Sequence, residues 1–222
     1  MKKLITAASL LLASVSGSAA IAVPKHDVAA GKAIAETICG ACHGVNGVSV
    51  VPAQPNLGGQ NVKYLYKQLT AFKSGDRQNA IMSAQVAKLS DQDLANVAGY
   101  YASQPRWSVG YANPAYAQTA QKLYFGGDSK RGVIPCSGCH GGKGNGNDFA
   151  AFPRLGGQHS AYIATQLKLF RAAGREDEVT DPNQLRTNDS AKKGEKGMMQ
   201  IVAAKLSDND IKVLSDFISA IH

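Results

Sequence analysis

Cysteine is scarce in this chain. Four in 222 residues are too few for a disulfide-stapled scaffold of this length. Charged residues make up only 18% and hydrophobic residues 44%, which excludes a disordered chain and a long coiled coil. Long apolar runs are missing. Leu4 to Val15 falls short of the roughly 20 residues a spanning helix needs, and no later segment is long and apolar enough. No segment alternates convincingly with period 2, so the sequence offers no half-buried strand. Acidic residues are outnumbered, 16 against 24 Lys and Arg, giving a formal charge of +8. That excess brings nucleic acid into consideration as a partner. The length accommodates one large domain or two small ones.

The N-terminus reads as a secretory leader. Lys2 and Lys3 form a positive n-region, Leu4 to Val15 an apolar h-region, and Ala20-Ile21-Ala22 a small-x-small cleavage site. Cleavage is expected after Ala22, leaving 200 residues and a formal charge of +6 once Lys2 and Lys3 are gone. The mature protein is expected to be soluble, outside the cytoplasmic membrane. That location argues against nucleic acid.

The chain is written twice. ICGACHG at 38–44 returns as PCSGCHG at 135–141, PNLGGQ at 55–60 as PRLGGQ at 153–158, and KLSDQDL at 88–94 as KLSDNDI at 205–211. The offsets are 97 from Cys39 to Cys136, 98 from Pro55 to Pro153, and 117 from Leu89 to Leu206. The second copy therefore carries about 19 extra residues, between Arg175 and Met199. Two tandem domains are expected, 23–108 and 109–222 after the leader 1–22. The join falls near Gln104–Asn113, where Pro105, Gly110 and Pro114 break any helix.

Each half reads as helical. Val62, Leu65, Leu69 and Phe72 share one helical face, closed by Gly75, and Ile163, Leu167 and Phe170 repeat it. Ser90 with Asp93, and Ser207 with Asp210, look like N-caps with an acidic residue at N3. Leu94, Val97, Ala98 and Tyr101 follow at i, i+3, i+4 and i+7, echoed by Ile211, Leu214, Ser215 and Ile218. The expected fold class is all-α, as two similar small domains.

All four cysteines fall in Cys-x-x-Cys-His motifs: Cys39, Cys42, His43 and Cys136, Cys139, His140. This motif attaches c-type haem. Two thiols three residues apart on one turn reach the two vinyl groups of one porphyrin. The following His is then placed under the iron. A four-thiolate zinc site or two disulfides would use the same cysteines. Neither explains a His after each pair, nor a repeat that keeps each pair inside its own domain.

After the leader, methionine occurs only at 82, 198 and 199. Aligning the KLSD segments places Met82 on Met199, so these two are read as the sixth ligands, with Met198 as the fallback. A soft, neutral thioether favours ferrous iron and raises the potential. Ligating imidazoles usually donate their other N–H to a carbonyl or carboxylate. Pro55 and Pro153 open the repeated loops and offer rigid carbonyls; the same residues also suit ordinary turns.

These residues resemble the dihaem cytochrome c4 family, built of two class I cytochrome c domains. The likeness covers essentially the whole mature chain. It rests on CGACHG, PNLGGQ, YLYKQLTAFKSGDRQNAIM and AKLSDQDL in the first half. In the second it rests on CSGCHG, GNGN at 144–147, FPRLGGQHSAY, TND at 187–189, MMQIVAAKLSDNDI and the final helix. It implies that His43 and Met82 ligate one iron, and His140 and Met199 the other. It implies that the Pro55 and Pro153 carbonyls receive the His N–H groups. It implies a periplasmic electron carrier, peripherally membrane-associated or diffusing, between quinol–cytochrome c reductase and a haem–copper oxidase. Propionates are implied to face the shared interface. The stretch EDEVTDPNQL with SAKKGEKG lengthens the loop before Met199 and departs from the first half.

Other candidates have plainer readings. Tyr64 and Tyr162 are repeat-equivalent, as are Arg77 and Arg175; they read as core tyrosines and solvated arginines, with propionate contact as the alternative. Trp107 falls at the join. His26, His159 and His222 lie outside the motifs and have no expected iron role. Glu176, Asp177, Glu178, Lys192, Lys193 and Lys196 read as a solvated loop, with the lysines as a docking patch in the alternative. The competing functions are a cytochrome subunit fed by a partner dehydrogenase, and an enzyme with one open iron, such as a dihaem peroxidase or thiosulfate dehydrogenase.

Overall fold

The computed structural model describes residues 21–107, 110, 112–190 and 194–221. Most of the expected leader, the junction at 108/109, Lys192, Lys193 and His222 lie outside the described residues. Every regular element among the described residues is helical. Strand pairing there is limited to isolated bridges, Asp128 with Val133 and Asn147 with Phe152.

In the first half α1 (Val28–Ile34) runs through a π-helical turn (Ala35–Cys39) into α2 (Gly40–His43). Then come α3 (Val62–Ser74), α4 (Ala80–Val86) and α5 (Asp91–Ser103). Asp27 caps α1 and Asn61 caps α3 with their side-chain oxygens. Ser90 and Asp93 cap α5 reciprocally, which satisfies two of its free N–H groups. Gly75 ends α3 at φ 84, a left-handed conformation that glycine adopts without a Cβ penalty. α1 crosses α5 where Gly31 meets the Asn96 carbonyl; a Cβ there would run into it.

The second half repeats the plan with α6 (Pro114–Gly126), α7 (Ser137–His140), α8 (Ser160–Arg175), α9 (Met198–Ala203) and α10 (Asp208–Ala220). α10 carries the same reciprocal cap, from Ser207 and Asp210. Its expected inner face, Ile211, Leu214, Ser215 and Ile218, is buried, as are Leu94, Val97, Ala98 and Tyr101 of α5.

Each core draws on one half only. Ala35, Leu65, Val97, Ala98, Tyr100 and Tyr101 form the first, with Phe72, Val86 and Leu94 as a smaller group in the same half. Leu123, Tyr124, Ile163, Phe170, Leu206, Ile211 and Leu214 anchor the second. Two departures from the sequence reading have local causes. Pro114 opens α6 rather than breaking a helix, because the first helical position needs no N–H and Asn113 caps it. α8 runs about one turn longer than α3 and closes at Glu176, φ 60, where the inserted segment begins.

Arg131 ties α10 to the loop after α6. Its guanidinium lies 2.6 Å from both Asp210 Oδ2 and Asp128 Oδ2. Burial raises the Asp210 carboxyl, but the bonds from Arg131 and Ser207 outweigh it and hold its pKa below the usual range. A carboxylate with a depressed folded-state pKa contributes stability above its unfolded value of about 3.9. That contribution is lost as pH falls through the folded value. Asp210→Asn should melt earlier than the parent at pH 7, and the gap should close as the pH drops below about 3.9. Melting temperature against pH reads this directly.

Candidate haem sites and the interface between them

Cys39 closes the π-helical turn, and Cys42 and His43 follow on α2; Gly44, φ 73, then turns the chain away. Cys136 precedes α7, which carries Cys139 and His140 and ends at Gly141, φ 78. Tyr101 on α5 donates to the Gly44 carbonyl at 3.2 Å, and Tyr124 on α6 donates to the Gly141 carbonyl at 2.7 Å. The turn after each His is thus fastened to a long helix. None of the four cysteines is joined to another. Burial pushes the Cys39 and Cys136 thiols up to about 11. No three His, Cys, Asp or Glu side chains gather as a metal site among the described residues.

His43 Nδ1 lies 3.0 Å from the Pro55 carbonyl, and His140 Nδ1 lies 3.0 Å from the Pro153 carbonyl. A carbonyl only accepts, so each Nδ1 carries the proton and each Nε2 keeps a free lone pair. Burial lowers both imidazole pKa values, against the carbonyl bond that raises them. Both rings are neutral at pH 7. The carbonyls are held by matching loops: the N–H groups of Leu57 and Gly58 share the Gly47 carbonyl, and those of Leu155 and Gly156 share the Gly144 carbonyl.

Met82 is half-buried in the first turn of α4, beside Phe72, Val86 and Leu94, and its N–H donates to Asn79 Oδ1 at 2.9 Å. Met199 packs on the second core, whereas Met198 is 56% exposed. The Met199 N–H donates to Asp189 Oδ2 at 2.6 Å, and Gln200 Nε2 donates to Asp189 Oδ1 at 2.7 Å. The cap three residues back in the first half is replaced by one ten residues back in the second. The inserted segment supplies its own anchor for α9. Its ends also meet, through Lys196 and Glu176 at 2.9 Å.

The halves meet through polar contacts that the sequence reading missed. Gln60 donates from Nε2 to the Arg154 carbonyl at 2.9 Å and accepts the Arg154 N–H at 2.8 Å. Gln158 donates to the Asn56 carbonyl and accepts the Asn56 N–H, both at 2.9 Å. His159 Nε2 lies 3.0 Å from the Ser49 carbonyl across the same boundary, and His26 packs on Gly99. Trp107 accepts from Arg154 through its carbonyl at 3.1 Å and lies beside both GGQ loops. The two glutamines end the repeated PxLGGQ loops, which was the available signal.

Arg77 and Arg186 form the second part of this boundary. Arg77 donates to Gln68, Tyr162 and Gln166 at 2.7, 3.2 and 2.9 Å. Arg186 donates to Gln166, Tyr64 and Gln68 at 2.8, 2.9 and 3.1 Å. Their guanidinium carbons stack 4.5 Å from Phe72 and 4.4 Å from Phe170. Arg186, from the inserted segment, is thus the counterpart of Arg77. Arg175, the repeat-equivalent of Arg77 in sequence, instead donates to the Ala204 and Leu206 carbonyls at the end of α9. Tyr64 and Tyr162 reach across the boundary rather than into a core. Burial raises the Tyr64 phenol, but the two guanidiniums outweigh it and lower its pKa. Burial and Arg186 together push Arg77 down.

Neither Arg77 nor Arg186 has a carboxylate ion-pair partner among the described residues. Two desolvated cations held this close call for anions. Haem propionates are such anions, and the rest of each donor set, two thiols, a neutral imidazole and a thioether, suits haem c. The residues present fit the group.

The Cytochrome c family model matches residues 28–104 and 118–221, one segment in each half. Cytochrome c4 of Pseudomonas aeruginosa is 41% identical over 222 residues, the full length of both chains. The chain belongs to the cytochrome c4 family. The crystal structure of reduced recombinant cytochrome c4 from Pseudomonas stutzeri superposes with a TM-score of 0.78 at 43% identity, covering 89% of this chain and 100% of that one. A thiosulfate dehydrogenase electron acceptor of Stutzerimonas stutzeri is 31% identical over 81% of this chain and 76% of its own. As a cytochrome c4, the chain is a dihaem c-type electron-transfer protein and not an enzyme, and it works through redox partners. No helix among the described residues is long and apolar enough to cross a membrane.

Proposed function

We propose that the chain is a periplasmic carrier taking electrons from quinol–cytochrome c reductase to a haem–copper terminal oxidase. Its leader, 1–22, is removed on export, and domains 23–108 and 109–222 each hold one haem. Cys39 and Cys42 form the thioethers of the first, with His43 and Met82 on its iron. Cys136 and Cys139 form those of the second, with His140 and Met199. Bound there, haem c supplies a one-electron ferric/ferrous couple. The observation that carries this reading is the pair of buried, neutral imidazoles, each fixed with Nε2 free by a proline carbonyl beside a Cys-x-x-Cys turn. Met199 rather than Met198 is supported by its packing on the second core. Arg77 and Arg186 neutralise propionates at the boundary, and the two methionine thioethers hold the ferrous form.

Carbon monoxide tests the ligation. The native ferrous protein should resist it at both irons; rapid binding at either would overturn two-methionine ligation and favour an enzyme. A second reading, acceptance of electrons from a partner dehydrogenase, is favoured by the 31% identical thiosulfate dehydrogenase electron acceptor. Reduction rates with a quinol-oxidising membrane and with a purified thiosulfate dehydrogenase separate the two.

A further inference from the structure

Each haem-side proline carbonyl belongs to a peptide group whose N–H faces the other domain. The Pro55–Asn56 peptide accepts from His43 Nδ1 on its oxygen and donates its N–H to Gln158 Oε1. The Pro153–Arg154 peptide accepts from His140 Nδ1 and donates to Gln60 Oε1. Each glutamine also donates back to the carbonyl of the same residue, so it grips that backbone at two points. Both glutamines are buried, at 7% and 8% exposure. Their oxygens take a second bond from the next residue's own N–H, Asn61 or His159. Their orientation is therefore fixed from both sides.

We propose that Gln60 and Gln158 are crossed positioning residues, each setting the strength of the imidazole hydrogen bond in the opposite domain. The proposal rests on the ligation by His43 and His140 given above. A peptide whose N–H is donated becomes polarised, and its oxygen is a better acceptor. A stronger Nδ1–H bond makes the imidazole a more basic ligand, which favours ferric iron. The two-point grip also stops the peptide from rotating its carbonyl away from the ring. Removing Gln158 should therefore raise the potential of the first-domain haem, and removing Gln60 that of the second.

The test uses the full-length holoprotein with Gln158→Leu, Gln60→Leu and Gln158→Glu. Each haem is titrated separately by its own methyl resonances, and the ring Nδ1–H resonance is followed in the reduced protein. Gln158→Leu should shift the first-domain ferrous/ferric equilibrium by about threefold, ~30 mV at 59 mV per tenfold. It should move the His43 resonance and leave the second haem where it was. Gln60→Leu should give the mirror result. Gln158→Glu keeps an acceptor for the Asn56 N–H and should retain the His43 resonance, which also covers the case in which Leu disrupts folding. Equal shifts at both haems, a shift only in the substituted domain, or loss of the His43 resonance in the Glu variant would overturn the proposal. A parent protein whose spectrum lacks histidine ligation would overturn the ligation itself; intact ligation without crossed shifts overturns only the crossing.

Discussion

Met199→Ala is expected to open the second iron, whereas Met198→Ala leaves it six-coordinate. The adjacent residues differ in setting: Met199 packs on the second core and its N–H is held by Asp189, while Met198 is more than half exposed. Losing the thioether removes a ligand that favours ferrous iron. The potential should fall by on the order of 0.1 V, within the roughly 0.8 V that axial ligands span. The ferrous variant should bind carbon monoxide at one haem, and half of the thioether-to-iron charge-transfer absorbance should vanish. Met82→Ala should do the same in the first domain. If Met198→Ala opened the iron and Met199→Ala did not, the ligand assignment would reverse.

Arg186→Leu should uncouple the two domains. Arg186 is 5% exposed and donates to Gln166, Tyr64 and Gln68 at once, with Asn188 Oδ1 at 3.3 Å on its Nε. Its loss strands buried acceptors on Gln166, Tyr64 and Gln68. Leaving a buried acceptor without its donor costs roughly 1–3 kcal/mol. A calorimetric scan should show one unfolding transition in the parent and two in Arg186→Leu. Arg186→Lys should recover only part of the loss, because a point ammonium lacks the planar fork that reaches three acceptors. A single, unshifted transition in Arg186→Leu would show that the other contacts across the boundary, the glutamine grips and Arg77 among them, hold it without Arg186.

Four of the helices and the residues of the candidate haem sites were legible because they are periodic or repeated. α3, α5, α8 and α10 were readable from apolar spacing and from the Ser/Asp caps, which act over three or four residues. The short α4 and α9 had no such signal; seven and six residues give too little periodicity, and side-chain caps hold them. The domain boundary was the least readable part. Arg186 has no counterpart at the repeat offset, so pairing Arg77 with Arg175 followed the sequence and missed the geometry. Gln60 and Gln158 stood in view inside a repeated motif, yet their targets are backbone atoms about a hundred residues away. A backbone partner leaves no mark on the identity of the residue that supplies it.

The glutamine grips also have a symmetry with consequences for assembly. Gln60 meets the residue after Pro153, and Gln158 meets the residue after Pro55, so the same contact is made twice about a local twofold. An isologous contact of this kind is self-complementary and closed: two lobes saturate it and a third finds nothing left to bind. The connecting segment raises the effective concentration of one lobe for the other. The pairing of the two halves is thus held by geometry as well as by covalent linkage.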